Sequence, residues 1–200
     1  MKLLPALRAI VMASAFAMAA GVSAQQFGID TLMQSLAKVR SGEATFTEER
    51  QVAQLDQALR SVGRLRFSAP DTFVRETTSP RHERLAVVGN ELTIVQGGRT
   101  RTVMLDSIPE AAVMVEAIRG TLTGNRALLE RYFATELRGR PESWELDLVP
   151  RDTRLRGQVA RVRLLGRQGQ VREVRIAMAD GDSSVMWIEP VTAQGGGGAR

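Results

Sequence analysis

The sequence predicts an α+β fold, mainly β: one antiparallel sheet with helices docked against one of its faces. Three observations predict it. In residues 44–95 apolar residues recur at every second position in short bursts (Leu65 and Phe67, Leu85 and Val87, Leu92 and Ile94), the period of strands with one buried face. Pro70-Asp71, Ser79-Pro80 and Gly89-Asn90 separate these bursts at turn positions. Residues 109–133 then change to a helical period, and period two returns from Trp144. The connections between strands are too short for the crossover helices that parallel neighbours require. A sheet with one apolar face cannot hide that face from water alone, so three or more helices are expected to cover it.

The chain opens on Lys2 and Arg8, followed by an apolar run over 9–20 and the small residues of Val22-Ser23-Ala24. This is the pattern of a cleavable signal peptide over 1–24, with Gln25 as the mature N-terminus. The run is short for a bilayer core, which takes about 20 residues. No cysteine follows the cleavage site to carry a lipid, so the protein is expected to be soluble in the periplasm. Removing 24 residues from 200 leaves 176, one domain over 25–194 able to bury about 70% of its unfolded surface. The absence of cysteine rules out disulfides and thiolate metal sites, so packing must supply stability. With 27 basic and 22 acidic residues the net charge is +5; loss of Lys2 and Arg8 with the signal lowers it to +3. The bases are nearly all arginines interleaved with acids, and aromatic residues make up only 4%. Both features speak against a nucleic-acid partner.

A first helix is expected over 27–39, where Ile29, Leu32, Met33, Leu36 and Val39 fall on one stripe, Gly28 or Asp30 can cap it, and Ser41-Gly42 ends it. The first strand is expected over 44–54, with Phe46 and Val52 sharing a face with Glu48 and Arg50. Residues 53–61 favour helix by composition but read as a hairpin connection. Gly97-Gly98 forms a turn before a short strand over 100–105. Pro109 then starts a helix carried by Ala112, Val115 and Ile118 and stopped by Gly120. Gly124-Asn125 starts another through Leu128, Leu129, Tyr132 and Phe133. Both are too short to be stable alone and must dock. From Trp144, the side chains of Leu146 and Leu148 face one way and Glu145 and Asp147 the other. Strands follow over 159–165, 171–178 and 183–188, with turns at 166–169 and Asp180-Gly181. The glycine run over 195–200 cannot pack and is expected to be disordered. There is no internal repeat.

Several of these segments resemble the LolA-like family of periplasmic outer-membrane lipoprotein carriers. Phe46-Thr47-Glu48-Glu49 resembles the family's F-T-Q run on its first strand. Gly63-Arg64-Leu65-Arg66-Phe67 with Ala69-Pro70-Asp71-Thr72-Phe73 resembles its G-x-L-x-[FV]-x-R-P-x-x-F. The stretch from Ser79-Pro80 to Leu85-Ala86-Val87-Val88-Gly89-Asn90-Glu91-Leu92 resembles its P-x-x-x-x-[IL]-x-x-D-G-x-x-[LV]. Gly120-Thr121-Leu122-Thr123-Gly124, Leu129 and Phe133 resemble the lid helices of a divergent branch. The resemblance implies a single strongly curved antiparallel sheet, an open, incomplete barrel, whose concave face is covered by helices and holds acyl chains. It also implies a non-enzymatic carrier that takes a lipoprotein from an inner-membrane exporter to an outer-membrane acceptor. Two departures stand out: Ala69 replaces the arginine that helps latch the family's lid, and Gly89-Asn90 replaces its D-G. A carrier of a related lipid would tolerate the first.

Catalytic chemistry is sparse. His82, the single histidine, lies in the polar turn Pro80-Arg81-His82-Glu83. Gly181-Asp182-Ser183-Ser184 resembles the nucleophile segment of some lipases, but it comes late and no histidine follows it. Asp180 and Asp182 are not followed by the alternating oxygen ligands of a calcium loop. No phosphate loop or dinucleotide fingerprint occurs, so no cofactor and no metal are expected. The candidate ligand-binding set is the apolar one implied by the resemblance: Phe46, Leu65, Phe67, Phe73, Leu85, Val87, Leu92, Ile94, Met104, Met114, Val115, Ile118, Leu129, Phe133, Trp144 and Leu146. Leu122 and Leu128 are also expected to face inward. Methionine and alanine on the helices suit an adaptable lining. The expected function is a monomeric periplasmic carrier shielding acyl chains of a lipoprotein or other lipid. A non-enzymatic sensor or adaptor binding acylated envelope components is the alternative.

Overall fold

A computed structural model describes residues 27–191. The expected signal peptide over 1–24, the mature N-terminus at Gln25 and the tail over 195–200 lie outside the described residues. Helix α1 (Ile29–Ala37) is capped by the extended backbone of Gly28 and buries Leu32, Met33 and Leu36. Strands β1 (Ser41–Gln51), β2 (Leu59–Ser68), β3 (Thr72–Ser79), β4 (Glu83–Val88), β5 (Glu91–Gln96) and β6 (Arg99–Met104) follow as a meander. A 3-10 turn (Leu105–Ser107) leads into α2 (Pro109–Leu122) and α3 (Arg126–Tyr132). A second meander comprises β7 (Phe133–Arg140), β8 (Ser143–Pro150), β9 (Val159–Arg167), β10 (Gln170–Met178) and β11 (Ser183–Pro190), with a short helix α4 (Thr153–Arg156) between β8 and β9.

The strands form one eleven-stranded sheet in the order β6-β5-β4-β3-β2-β1-β11-β10-β9-β8-β7, antiparallel throughout. The two meanders meet at the centre, where β1 pairs with β11 and Phe46 stands opposite Ile188 and Gly63. The helical segment therefore runs from one sheet edge, β6, to the other, β7. Among the described residues the sheet is open, with β6 and β7 as unpaired edges, and it is not strongly curled. The expectation of a strongly curved, incomplete barrel is corrected on this point. Bulges are the usual means of bending a sheet toward closure. The register breaks only at Val62/Gly63, Val171/Glu173 and Ala177/Met178 among the described ladders.

One face carries the apolar positions and receives the helices; it is called the inner face below. The core lies over its β7–β10 half, where Leu32, Met33 and Leu36 of α1, Ala117 of α2 and Leu129 of α3 pack on Trp144, Leu146, Leu148, Val162 and Leu164. The indole N–H of Trp144 donates to the Gln168 carbonyl at 2.9 Å, which satisfies the one polar atom this ring buries. On the opposite, outer face Asp147 is only 4% exposed. It accepts from Arg163 at 2.8 and 3.3 Å and from Arg138 at 3.0 Å. Burial opposes its ionisation, but Arg163, with Arg161 and Arg138, outweighs burial and holds the carboxyl below its usual range.

Several boundaries differ from the sequence reading. Gly120 does not stop α2, which continues to Leu122. A Cβ on Gly120 would lie 2.8 Å from Leu129 Cγ, so the glycine lets α3 approach α2. The break comes at Gly124, whose φ of +64° suits glycine and whose backbone sits against Met33 and Ala37 of α1. Asn125 caps α3 by accepting from the Leu128 amide at 3.0 Å. Phe133 opens β7 rather than ending a helix. The first strand runs 41–51 rather than 44–54 and the sixth 99–104 rather than 100–105. Residues 52–58 form a hairpin connection, shorter than the expected 53–61 because residues 59–61 already belong to β2.

Candidate functional site

Helix α2 is apolar on more than one side because it serves two surfaces. Val113, Met114 and Ala117 join the core over β7–β10. Val115, Ile118 and Leu122 face Phe67, Phe73 and Val87 on the β2–β4 part of the inner face and enclose with them a cavity of about 20 Å³. That is space on the scale of one water molecule, whereas small-molecule pockets span roughly 300–1,000 Å³. With α2 seated, no acyl-sized tunnel exists at this position. Seating α2 removes apolar sheet surface from water.

The sixteen sequence-predicted residues fall into distinct places. Phe46, Leu65 and Val87 are buried on the inner face, and Phe67, Phe73, Leu85, Leu92 and Ile94 are half-buried beside them. Met114, Val115 and Ile118 are half-buried on α2. Leu129, Phe133, Trp144 and Leu146 lie in the main core with at most 2% exposure. Met104 is 48% exposed and pairs with Glu91 on the outer face. Val103 holds the inner position opposite Leu92 instead. Leu122 lines the α2 cavity and Leu128 is half-buried on α3.

Sequence reasoning missed two polar features of this region. On the inner face, Arg75 Nη2 donates to Glu48 Oε2 at 2.5 Å, and the Ser61 hydroxyl donates to the same oxygen at 3.2 Å. The cross-strand neighbours of Arg75 are Leu65 and Leu85, and its guanidinium carbon stands 4.8 Å from the centre of the Phe46 ring. The second feature ties α2 to the sheet: Arg119 Nη2 donates to the Gly89 carbonyl in the β4–β5 turn at 2.7 Å, while its Nη1 pairs with Glu116. Ala69 reaches only by its backbone, the amide donating to the Arg40 carbonyl at 2.8 Å. The polar tie between helix layer and sheet thus comes from the helix.

The residues weighed for catalysis are otherwise engaged. His82 is exposed and meets Glu76 at 3.2 Å, a contact that lowers the Glu76 carboxyl below its usual range. Asp182 accepts from the Ala53 amide and from Arg50, both at 3.0 Å, and these contacts, the amide first, hold its carboxyl low. Asp180 accepts from the Asp182 amide within the same turn. Among the described residues no three acidic, histidine or cysteine side chains gather as metal ligands, and no helix is long and apolar enough to cross a membrane.

The family described as outer membrane lipoprotein carrier protein LolA-like matches residues 20–192. The chain belongs to this LolA-like family. Among solved structures it is similar to a LolA superfamily protein from Nitrosomonas europaea (10% identity, 82% of this chain and 92% of that one, TM-score 0.43). It is also similar to the MucA/MucB complex of Pseudomonas aeruginosa (13%, 86% and 57%, TM-score 0.45). A third is the lipoprotein LppX of Mycobacterium tuberculosis (9%, 83% and 97%, TM-score 0.38). No curated protein matches the sequence.

Proposed function

We propose that this LolA-like protein is a non-enzymatic periplasmic carrier. It shields the acyl chains of a lipoprotein or related lipid between β2–β4 and a lifted α2. The observation that carries this reading is the α2–sheet interface: Val115, Ile118 and Leu122 meet Phe67, Phe73 and Val87 around a small apolar cavity. Membership of the LolA-like family supports the periplasmic setting and the carrier role. An acyl chain could replace the α2 contacts on the sheet with contacts of its own.

Burying a methylene is worth about 0.8 kcal/mol, so a long chain gains roughly 10 kcal/mol before ordering costs. A membrane offers the chain nearly the same gain, so transfer is close to balanced. Direction then comes from partners, an inner-membrane exporter and an outer-membrane acceptor. Titration of a pyrene-labelled long-chain acyl ester into wild type and Ile118→Glu tests the reading, with circular dichroism as the folding control. Saturable uptake by wild type and at least tenfold weaker uptake by the folded variant are expected, because the variant sets an unpaired charge against the ligand. No uptake by wild type overturns the carrier reading in favour of a sensor or adaptor.

A further inference from the structure

An ion pair in the middle of an apolar sheet face needs a reason, because desolvating it costs about as much as the pairing returns. Arg75 and Glu48 form such a pair, with side chains only 22% and 18% exposed. The contacts of Arg75 are uneven. Its Nη2 serves Glu48 and, at 3.4 Å, Ser61, and its plane lies by the Phe46 ring. Its Nε–H is sealed from solvent with no acceptor, and a buried donor left unpaired is costly. Arg75 also follows Phe73 by two residues on β3, placing both on one face about 6.8 Å apart along the strand. Phe73 lines the α2 cavity. A chain lying over Phe67, Phe73 and Val87 would bring its head group to Arg75.

We infer that Arg75 is a specificity residue that donates to the carbonyl oxygen of an ester- or amide-linked acyl chain. The inner face thereby takes linked acyl chains in preference to free fatty acids. This rests on the carrier reading and names its ligand class. The charge balance decides between carbonyl and carboxylate. Glu48 already neutralises the guanidinium, and Glu83, one residue pair along the same face on β4 and held by Gln96 at 3.0 Å, adds a second negative charge. Arg50, two residues from Glu48 on β1, is itself taken up by Asp182 at 3.0 Å. A fatty-acid carboxylate would therefore add to an excess of negative charge, whereas a neutral carbonyl can meet the exposed part of the guanidinium without adding charge. Arg101 shares the face but lies on β6, three strands away and exposed. At about 14 Å its charge is largely screened in physiological salt.

The test is competition at pH 8 between a long-chain methyl ester and the free acid of the same length, each displacing the pyrene ester. Wild type should favour the ester about tenfold. Arg75→Met, which loses the donor and leaves Glu48 uncompensated, should bind the ester more weakly than wild type does and the acid no better. Glu48→Gln, which leaves the guanidinium uncompensated, should reverse the preference toward the acid; a merely structural ion pair predicts no reversal. Circular dichroism of both variants confirms folding, and the Glu48→Gln arm stands if Arg75→Met fails to fold. Equal binding of ester and acid by wild type, or an ester preference that survives in Glu48→Gln, overturns the role of Arg75 and leaves the carrier reading standing. Failure of wild type to take up the pyrene ester overturns both.

Discussion

If α2 must lift to admit a ligand, the hydrogen bond from Arg119 to Gly89 should govern how often it does so. Replacing Arg119 by leucine removes the donor and keeps an apolar side chain at the α2–sheet interface. A hydrogen bond from a charged donor contributes about 1.5–3 kcal/mol net. Arg119 retains 23% side-chain exposure, so the low end applies, about 1.5 kcal/mol. At about 1.4 kcal/mol per tenfold, the lifted population should rise roughly tenfold. Stopped-flow uptake of the pyrene ester should accelerate by the same factor. Glu116→Gln, which removes only the neighbour that steadies Arg119, should change uptake far less. The acceptor is a neutral carbonyl and the remaining contacts are apolar. Raising salt should therefore shift the wild-type rate by less than about twofold, because screening acts on exposed charge pairs. Unchanged uptake by Arg119→Leu would refute the latch, and a steep salt dependence would show that a charge pair holds α2 instead.

Other outcomes follow from burial and charge. Asp147→Asn should lower stability by about 2 kcal/mol at neutral pH, since it loses charge-assisted bonds to arginines that can re-solvate. Because the folded-state carboxyl is held low, its contribution is present above the ordinary carboxylate range and lost as pH falls through the lowered value. Urea midpoints should thus be flatter for Asp147→Asn than for wild type below about pH 4, and equal slopes would count against this account. Leu129→Ala, at a site with 0% exposure, should cost about 2–5 kcal/mol and lower the melting temperature by roughly 6–15 °C. Gly120→Ala should destabilise wild type by pressing on Leu129, yet be neutral or stabilising in the Leu129→Ala background, where alanine's better helix propensity is worth about 1 kcal/mol. Additive effects in thermal melts would contradict the close approach of α2 and α3.

The sequence by itself determined the element types wherever alternation or helical period was strong. Leu65 with Phe67, Leu85 with Val87, and Trp144 with Leu146 mark strands because one face must be buried and the other wet. The stripe of Leu32, Met33 and Leu36 marks α1 for the same reason at a different period. The motif stretch from Gly63 to Leu92 was enough to suggest the LolA-like family. β7 escaped notice because its residues after Phe133 offer Leu137 as their one large inward apolar side chain, and its other partners come from β8. Gly120 looked like a helix stop because a missing side chain reads the same whether it breaks a helix or lets another element approach.

Tertiary structure alone decided the rest. Pairing of β1 with β11 makes α2 and α3 an edge-to-edge crossing, and no local signal encodes contacts between residues so far apart in sequence. The openness of the sheet is likewise a sum over ten ladders, and here it overruled the strongly curved form that the resemblance implied. Burial of Asp147 beneath arginines from β7 and β9, and of Arg75 against Glu48 from β1, depends on strand register, which sets which charges meet. Whether an apolar residue belongs to the packed core, as Leu129 does, or to the surface beneath α2, as Phe73 does, depends on what covers it. The alternation that placed each side chain inward carries no information about that cover.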